Sequence, residues 1–472
     1  MECSNEQKQD VIFDVVIVGG GASGTALLYT LARYSSFSRI ALVEKYNGVG
    51  GVNSHARNNS QTLHVGDIET NYSMEKVREL KPASSIVASY ANSLPAEIRS
   101  KIIFPVKKMI LAVGEKEVET LAGRYEQLKK IFPTIQKLDR AGIERVEPAI
   151  VRGRKPEEEL LALQNDGFAV DYQMLARSFI EQTLAREDAK ARVRLFLSSP
   201  VLDLNRDTNG IWQIELKNGE KLQARAVVFD ADSYSLLFAK RLGYGEEFSL
   251  IPVAGTFFFS KQVLNGKVYS VQDQRLPFAA VHGDPDVRVP EMTRWGPTAR
   301  FSPVLEARNW KTSLDYFRVS GLHRWQTWVS FVVILLSPFR FFYLVRNLLY
   351  EIPYLGAYFF ARRVRKIAPS LSGRDFTRAR GFGGMRLQRV DTKTRKLILG
   401  EGKIVGENII FNMTPSPGAS VCLFNAMRDA EQLATFFGDL SLFDEARMKK
   451  ELCDKSEQIV LEDLSLKESY AS

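Results

Sequence analysis

The chain has 472 residues, 64 of them basic and 55 acidic, for a formal net charge of +9. That length exceeds what one hydrophobic core serves, so two intertwined or consecutive domains are expected. With 45% hydrophobic and 25% charged residues, the composition is that of a globular protein and excludes a disordered, collagen-like or repeat-built chain.

The basic excess suits an anionic substrate, an anionic membrane surface or nucleic acid, and does not choose among them. The three cysteines, Cys3, Cys422 and Cys453, are far apart and form no CxxC pair. No disulfide frame and no metal site is therefore expected. Residues Met1 to Asp10 are polar and carry acids, without the features of a secretory or transit segment, so a cytoplasmic start is expected.

Phe13 to Val18 reads as a buried strand, and Thr25 to Tyr34, rich in Ala and Leu, as a helix. Between them lies Gly19-Gly20-Gly21-Ala22-Ser23-Gly24. A second short strand, Arg39 to Val43, ends at Glu44, 20 residues beyond Gly24. Each part has a physical reason. Gly19 permits a tight turn, Gly21 lets backbone approach a pyrophosphate, and Gly24 lets the helix pack closely on the strand. The helix N-terminus offers N–H groups and positive potential to the anion. Glu44 is placed to accept hydrogen bonds from ribose hydroxyls and disfavours a 2′-phosphate. The motif alone specifies a dinucleotide. Its place at the start of a long chain, together with the later segments, favours FAD over NAD.

Further along, Met74–Leu94 and Val118–Lys130 read as helices. Val193–Pro200, Trp212–Lys217 and Ala224–Asp230 alternate like strands, and the last should return to the nucleotide sheet. Trp325 to Tyr350 is the most hydrophobic stretch, interrupted by Pro338 and Arg340. Two short apolar helices are expected there, with Arg362-Arg363-Val364-Arg365-Lys366 following. Two readings stand: an interfacial anchor on an anionic membrane, spanning 325–366, or a pair of buried helices with a solvated basic face. Asn408–Met413 reads as a strand and Val421–Phe437 as a helix. The loop between them, Thr414-Pro415-Ser416-Pro417-Gly418-Ala419-Ser420, is made of small residues that let a helix N-terminus face a flavin.

Five separated blocks carry a resemblance. They are Asn58-Asn59-Ser60-Gln61-Thr62-Leu63-His64-Val65-Gly66-Asp67-Ile68-Glu69-Thr70-Asn71-Tyr72, then Leu276 to Asp286, Thr293-Arg294-Trp295-Gly296-Pro297-Thr298-Ala299, Gly381-Phe382-Gly383-Gly384-Met385-Arg386, and Phe411 to Ser420. In this order they resemble the malate:quinone oxidoreductases, over about residues 13–437. The resemblance implies an α/β fold, α+β overall, of the glycine and D-amino-acid oxidase type. It has a discontinuous Rossmann-like FAD-binding domain (11–85, 165–240 and 375–440) and a mixed-sheet substrate domain (86–164 and 241–374, with the apolar helices 325–350), followed by a tail, 441–472. It also implies FAD as cofactor, (S)-malate as substrate and a membrane quinone as acceptor at the cytoplasmic face, with no role for nucleic acid. Two departures stand out. Asp230-Ala231-Asp232-Ser233 replaces a usual Asn-Ala-Gly-Ser, and Leu387 follows Arg386 where proline is common.

Oxidising a 2-hydroxy acid requires a base for the hydroxyl proton, a hydride acceptor and clamps for carboxylates. Histidine is the natural base near neutral pH, and there are only four: His55, His64, His282 and His323. His282, with Asp284 two residues on to orient it, and His64 are the candidates; His64 has the alternative role of holding the flavin. Arginine's planar fork suits a carboxylate, and Arg294 and Arg386 lie in glycine-containing segments. Gln61 and Thr62 are candidates for hydrogen bonds to substrate or flavin, with Ser60 beside them. The cofactor set is Gly19, Gly21, Ala22, Ser23, Gly24, Glu44, Ser60, Gln61, Thr62, Thr414, Pro415, Ser416, Gly418, Ala419 and Ser420. Other 2-hydroxy acids, amino acids, and a flavin-binding protein without catalysis remain open at this point.

Overall fold

The computed structural model describes residues 11–272, 281–398, 401–413 and 417–453, without the side chains of Phe339 and Arg340. The run Ile12–Val18 is apolar on both faces, as a strand covered on both sides must be. It pairs in parallel with Ile40–Val43 on one side and Lys221–Phe229 on the other. Val193–Phe196 extends the sheet beyond Ile40–Val43, and Ile409–Met413 extends it beyond Lys221–Phe229, both in parallel. Three separated stretches of sequence thus build one nucleotide sheet. The helices Ala22–Tyr34, Tyr172–Leu184 and Cys422–Phe436 bury Leu27, Leu31, Phe179, Leu423 and Met427 in one core with Val15 and Ile17. On the opposite face Val16, Val227 and Phe229 pack with Trp212, Phe238 and Phe411.

Two further sheets complete the molecule. A mixed sheet runs in the order Thr377–Arg378, Phe258–Lys261, Met292–Gly296, His282–Pro285, Lys267–Ser270, Ile103–Val113, Leu160–Val170, Gln136–Leu138. A smaller one places Met385–Asp391 antiparallel to Phe248–Ala254. The fold is therefore α/β with mixed sheets.

Local chemistry moves several expected boundaries. The strand expected over Val193–Pro200 stops at Phe196, because Ser198 turns at φ +56° and Pro200 has no N–H to offer. The helix expected from Val118 starts at Glu115, behind Gly114 at φ +84°, with Glu115 and Glu117 favouring its positive end. The last strand begins at Ile409 because Asn408 takes φ +53°, a turn value that asparagine tolerates.

The apolar stretch forms two helices, Trp325–Leu335 and Pro338–Leu349, with Pro338 at the first helical position, where its missing N–H is no loss. The inner side of the first is buried, where Phe331 and Ile334 pack with Ile251, Val253 and Val390, and the second adds the partly buried Tyr343 to that cluster. Their outer side is not buried: Trp325, Trp328, Phe342 and Leu348 are 65, 56, 70 and 55% exposed. Among the described residues no helix is long and apolar enough to cross a membrane.

Candidate active site

The glycines of the first loop do different work. A Cβ on Gly24 would lie 2.0 Å from the Gly19 carbonyl oxygen, and one on Gly19 (φ +119°) would lie 2.4 Å from that of Asp230. Both positions are closed by the protein itself. A Cβ on Gly21 would meet only Ser54 Oγ, at 3.5 Å. The space beside Gly21 belongs to a cavity of about 590 Å³, which Gly19, Gly21, Ala22, Ser23 and Glu44 all line. The helix Ala22–Tyr34 has no side-chain cap from Gly21, and Ser54 Oγ accepts from the Ala22 N–H at 3.0 Å. Glu44 Oε2 accepts from Gly20 N at 2.7 Å and Oε1 from Tyr46 N at 2.9 Å, which fixes the carboxylate at the cavity wall. These features fit the diphosphate and ribose of a dinucleotide. Gly21→Val is expected to fold with a near-native melting temperature yet show no visible flavin band, whereas Gly24→Val should unfold. A yellow Gly21→Val protein would remove this assignment.

The unusual Asp230-Ala231-Asp232 turn sits opposite this loop. Asp232 holds φ +52°, a glycine-like backbone, so the conformation remains although the glycine does not. Its carboxylate accepts from Asn53 Nδ2 at 2.8 Å. Asp230 accepts from Asn412 Nδ2 at 3.0 Å, and Asn412 also donates to Asp429 at 2.6 Å. Burial, with the charge of Asp429 beside it, pushes the Asp230 carboxyl up to about 7; burial pushes Asp232 up to about 6. Both therefore carry less negative charge toward a diphosphate than ordinary carboxylates. Because Asp230 binds its proton more tightly folded than unfolded, its contribution is intact below the ordinary value of 3.8 and is lost as the pH rises through about 7. Flavin-free Asp230→Asn and wild type should melt alike near the lower value. The variant should melt progressively higher than wild type as the pH approaches neutrality, and parallel curves would refute the shifted carboxyl.

The same cavity is lined by Asn58, Asn59, Ser60, Thr62, His64, Tyr172, Arg386, Pro417, Ala419 and Ser420. His64 is partly buried and pairs through Nδ1 with Glu69 Oε1, while its Nε2 lies 3.3 Å from Ser60 Oγ. Burial works against the Glu69 charge, yet His64 and Lys108 together hold the carboxyl below its usual range. The His64 N–H donates to Ser420 Oγ at 3.1 Å, and Ser420 also meets Tyr172 OH at 2.8 Å. Arg386, on the strand Met385–Asp391, makes no ion pair with any described residue; burial opposes its charge, and Tyr269, Tyr343 and Tyr72 surround it. Leu387, at the place where proline is common, is buried in register with Pro252.

The other sequence candidates lie one step back. Gln61 is fully buried at φ +52° and donates from Nε2 to the Ala56 carbonyl at 3.2 Å and to Asp286 at 3.4 Å. His282 is 1% exposed, stacks on Tyr269 at 4.3 Å between ring centres, and lies 3.5 Å from Asp284. Arg294 is fully buried and meets Asp286 at 3.2 Å, Asp284 at 3.5 Å and the Ala56 carbonyl at 3.1 Å. Burial works against the Asp284 charge, yet Lys267, Arg294 and His282 together pull its carboxyl below the usual range. None of Gln61, His282, Asp284 and Arg294 lines the cavity. Gly418 is buried beside it, and Thr414, Pro415 and Ser416 fall outside the described residues, as do Leu276 to Ala280.

Residues 11–309 match the family model for malate:quinone oxidoreductase (Mqo). A probable malate:quinone oxidoreductase of Campylobacter jejuni is 38% identical over 451 residues, covering 93% of this chain and 99% of that protein. The chain belongs to the malate:quinone oxidoreductase family. A malate:quinone oxidoreductase of Helicobacter pylori is 37% identical over 93% of this chain and 98% of its own length. Among solved structures, glycine oxidase from Geobacillus kaustophilus superposes with a TM-score of 0.60 at 17% identity, covering 92% of this chain and 97% of that one. The FAD-bound L-α-glycerophosphate oxidase from Mycoplasma pneumoniae gives 0.59 at 16%, covering 90% and 95%. At such identities these two show the fold alone.

For this malate:quinone oxidoreductase family member, sequence reasoning passed over Glu69, Lys108 and Lys267. Glu69 stands in the same block as His64, so the acid was visible there. The lysines had a weaker signal: Lys108 follows another lysine in a largely apolar strand, and Lys267 opens a strand of four residues.

Proposed function

We propose that this protein is an FAD-dependent enzyme that oxidises (S)-malate to oxaloacetate and delivers the electrons to a membrane quinone. The observation that carries this reading is Arg386, a partly buried guanidinium with no carboxylate partner among the described residues, lining one cavity with His64, which Glu69 pairs from behind. A partly buried cation with no acid beside it among the described residues calls for an anionic ligand, and its fork suits a carboxylate. FAD would be held by Gly19 to Ser23, Glu44, Ser60, Thr62, Ala419 and Ser420, and supplies the hydride acceptor when bound.

The chain's own residues do the rest. Glu69 accepts the Nδ1 proton of His64 in a hydrogen bond, which leaves Nε2 as the basic nitrogen on the side of Ser60. Nε2 takes the proton from the substrate hydroxyl, and the Glu69 carboxylate stabilises the imidazolium that results. Arg386 binds a substrate carboxylate and orients the carbon that gives up hydride. His282, Asp284 and Arg294 form a supporting layer, joined to the cavity wall by the Tyr269 OH···Thr62 Oγ1 contact of 2.7 Å and by Gln61. The direct test is a screen of purified protein with an artificial electron acceptor: malate should reduce the dye, and lactate and 2-hydroxyglutarate should not. Reduction by 2-hydroxyglutarate alone would reassign the substrate, and a colourless protein would remove the flavin reading.

The outer faces of Trp325–Leu335 and Pro338–Leu349 are read as the site of peripheral attachment to the cytoplasmic side of an anionic membrane. They present large apolar side chains, and the basic run Arg362, Arg363, Arg365 and Lys366 follows. A lipid-soluble quinone requires such contact. Trp328→Glu with Phe342→Glu should abolish binding to anionic vesicles and quinone-dependent turnover while leaving dye-dependent turnover intact. Unchanged vesicle binding would refute the assignment.

A further inference from the structure

The segment Ser60 to His64 lies in no helix or named strand; its only ladder contact is an isolated bridge from Thr62 to Ala169. It is nevertheless mostly buried, so each of its backbone carbonyls needs a donor. Val170 N–H supplies Gln61 at 3.0 Å and Tyr172 OH supplies Thr62 at 2.8 Å. Of the remaining three, two are taken by lysines: Lys267 Nζ donates to the Ser60 carbonyl at 3.1 Å, which also accepts from Thr62 Oγ1 at 3.1 Å, and Lys108 Nζ donates to that of Leu63 at 3.2 Å. These lysines are Cα partners across two adjacent parallel strands, so they project from the same face of the sheet. Both are fully buried. Each has its own acid: Asp67 for Lys108 at 2.6 Å and Asp284 for Lys267 at 3.1 Å. Asn165 also donates to Asp67, at 3.1 Å. The side chain of Lys108 passes over Gly167, where a Cβ would lie 2.1 Å from its Cε.

Stability alone does not account for two such pairs, since buried ion pairs are commonly no better than apolar residues of the same volume. What they share is a target, a single short segment whose Ser60, Thr62 and His64 line the cavity. We propose that Lys108 and Lys267 are paired positioning residues, which draw the Ser60 and Leu63 carbonyls toward the mixed sheet and thereby set where Ser60, Thr62 and His64 face flavin and substrate. The inference rests on the flavin reading of the cavity.

The test removes each pair as a unit, so that no unpaired acid remains: Lys108→Met with Asp67→Asn, and Lys267→Met with Asp284→Asn. Both proteins should keep the far-ultraviolet circular dichroism of the wild type. They should bind FAD about tenfold more weakly or worse, show a displaced visible flavin band, and lose about tenfold or more in kcat with little change in KM. Folded variants with wild-type FAD affinity, spectrum and kcat would overturn the proposal. A wild-type protein that binds no FAD would instead remove the flavin reading. If neither variant folds, amide hydrogen exchange of the wild-type holoenzyme decides. Residues 61–64 should be protected like the strand Ile103–Val113, and exchange at the rate of surface loops would overturn the clamp.

Discussion

Replacing His64 by Ala is expected to lower kcat for malate oxidation by about 10²–10⁴-fold while FAD remains bound, the range lost with a general base. The flavin should persist because the His64 backbone, not its ring, joins Ser420, and the glycine loop is untouched. Single-turnover bleaching of the flavin band by malate isolates the chemical step. Glu69→Gln should show a smaller loss of the same kind, since a neutral amide no longer stabilises the imidazolium. His282→Ala is the necessary comparison. Its ring is buried against Tyr269 and away from the cavity, so its loss should lower the melting temperature more than the rate of bleaching. If His282→Ala stops bleaching and His64→Ala does not, the roles are reversed.

Arg386→Met is expected to reduce kcat/KM for malate about 10–150-fold, corresponding to about 1.5–3 kcal/mol for hydrogen bonds to a charged group. Most of that loss should appear in KM. Lysine at this place should recover only part of it, because a point charge does not reproduce the two-pronged contact. The variant protein should be no less stable than wild type, since removing a partly buried cation with no carboxylate partner among the described residues strands none of their acids. Arg294→Met should behave in the opposite way, leaving buried Asp286 without its cation and Asp284 with only Lys267 and His282, and destabilising the fold. An Arg386→Met enzyme with an ordinary KM for malate would mean that the substrate carboxylate binds elsewhere.

The two histidines and two arginines show where reading the chain stops. Both members of each pair sit in segments with glycines or neighbouring acids, so local pattern ranked them nearly alike. The structure separates them by partners. Asp284 and Arg294 are cross-strand neighbours, which neutralises that arginine. No described acid does the same for Arg386. His64 reaches the cavity because Ser420, 356 residues away in sequence, holds its backbone. The Asp230-Ala231-Asp232 turn likewise looked hostile to a diphosphate from its charges, and only burial beside Asn412 and Asp429 explains how acids stand there.

The sequence by itself determined the dinucleotide loop and the family resemblance, because the steric demands on Gly19, Gly21 and Gly24 act within one strand, turn and helix. It also determined the break at Pro338, since a missing N–H is a property of the residue. Only the tertiary structure decided which arginine lacks an acid partner among the described residues, which imidazole faces the cavity, and which side of the apolar helices stays exposed. Those outcomes depend on tertiary packing: the acids that neutralise Arg294 face it from the adjoining strand, and the serine that holds the His64 backbone at the cavity is 356 residues away.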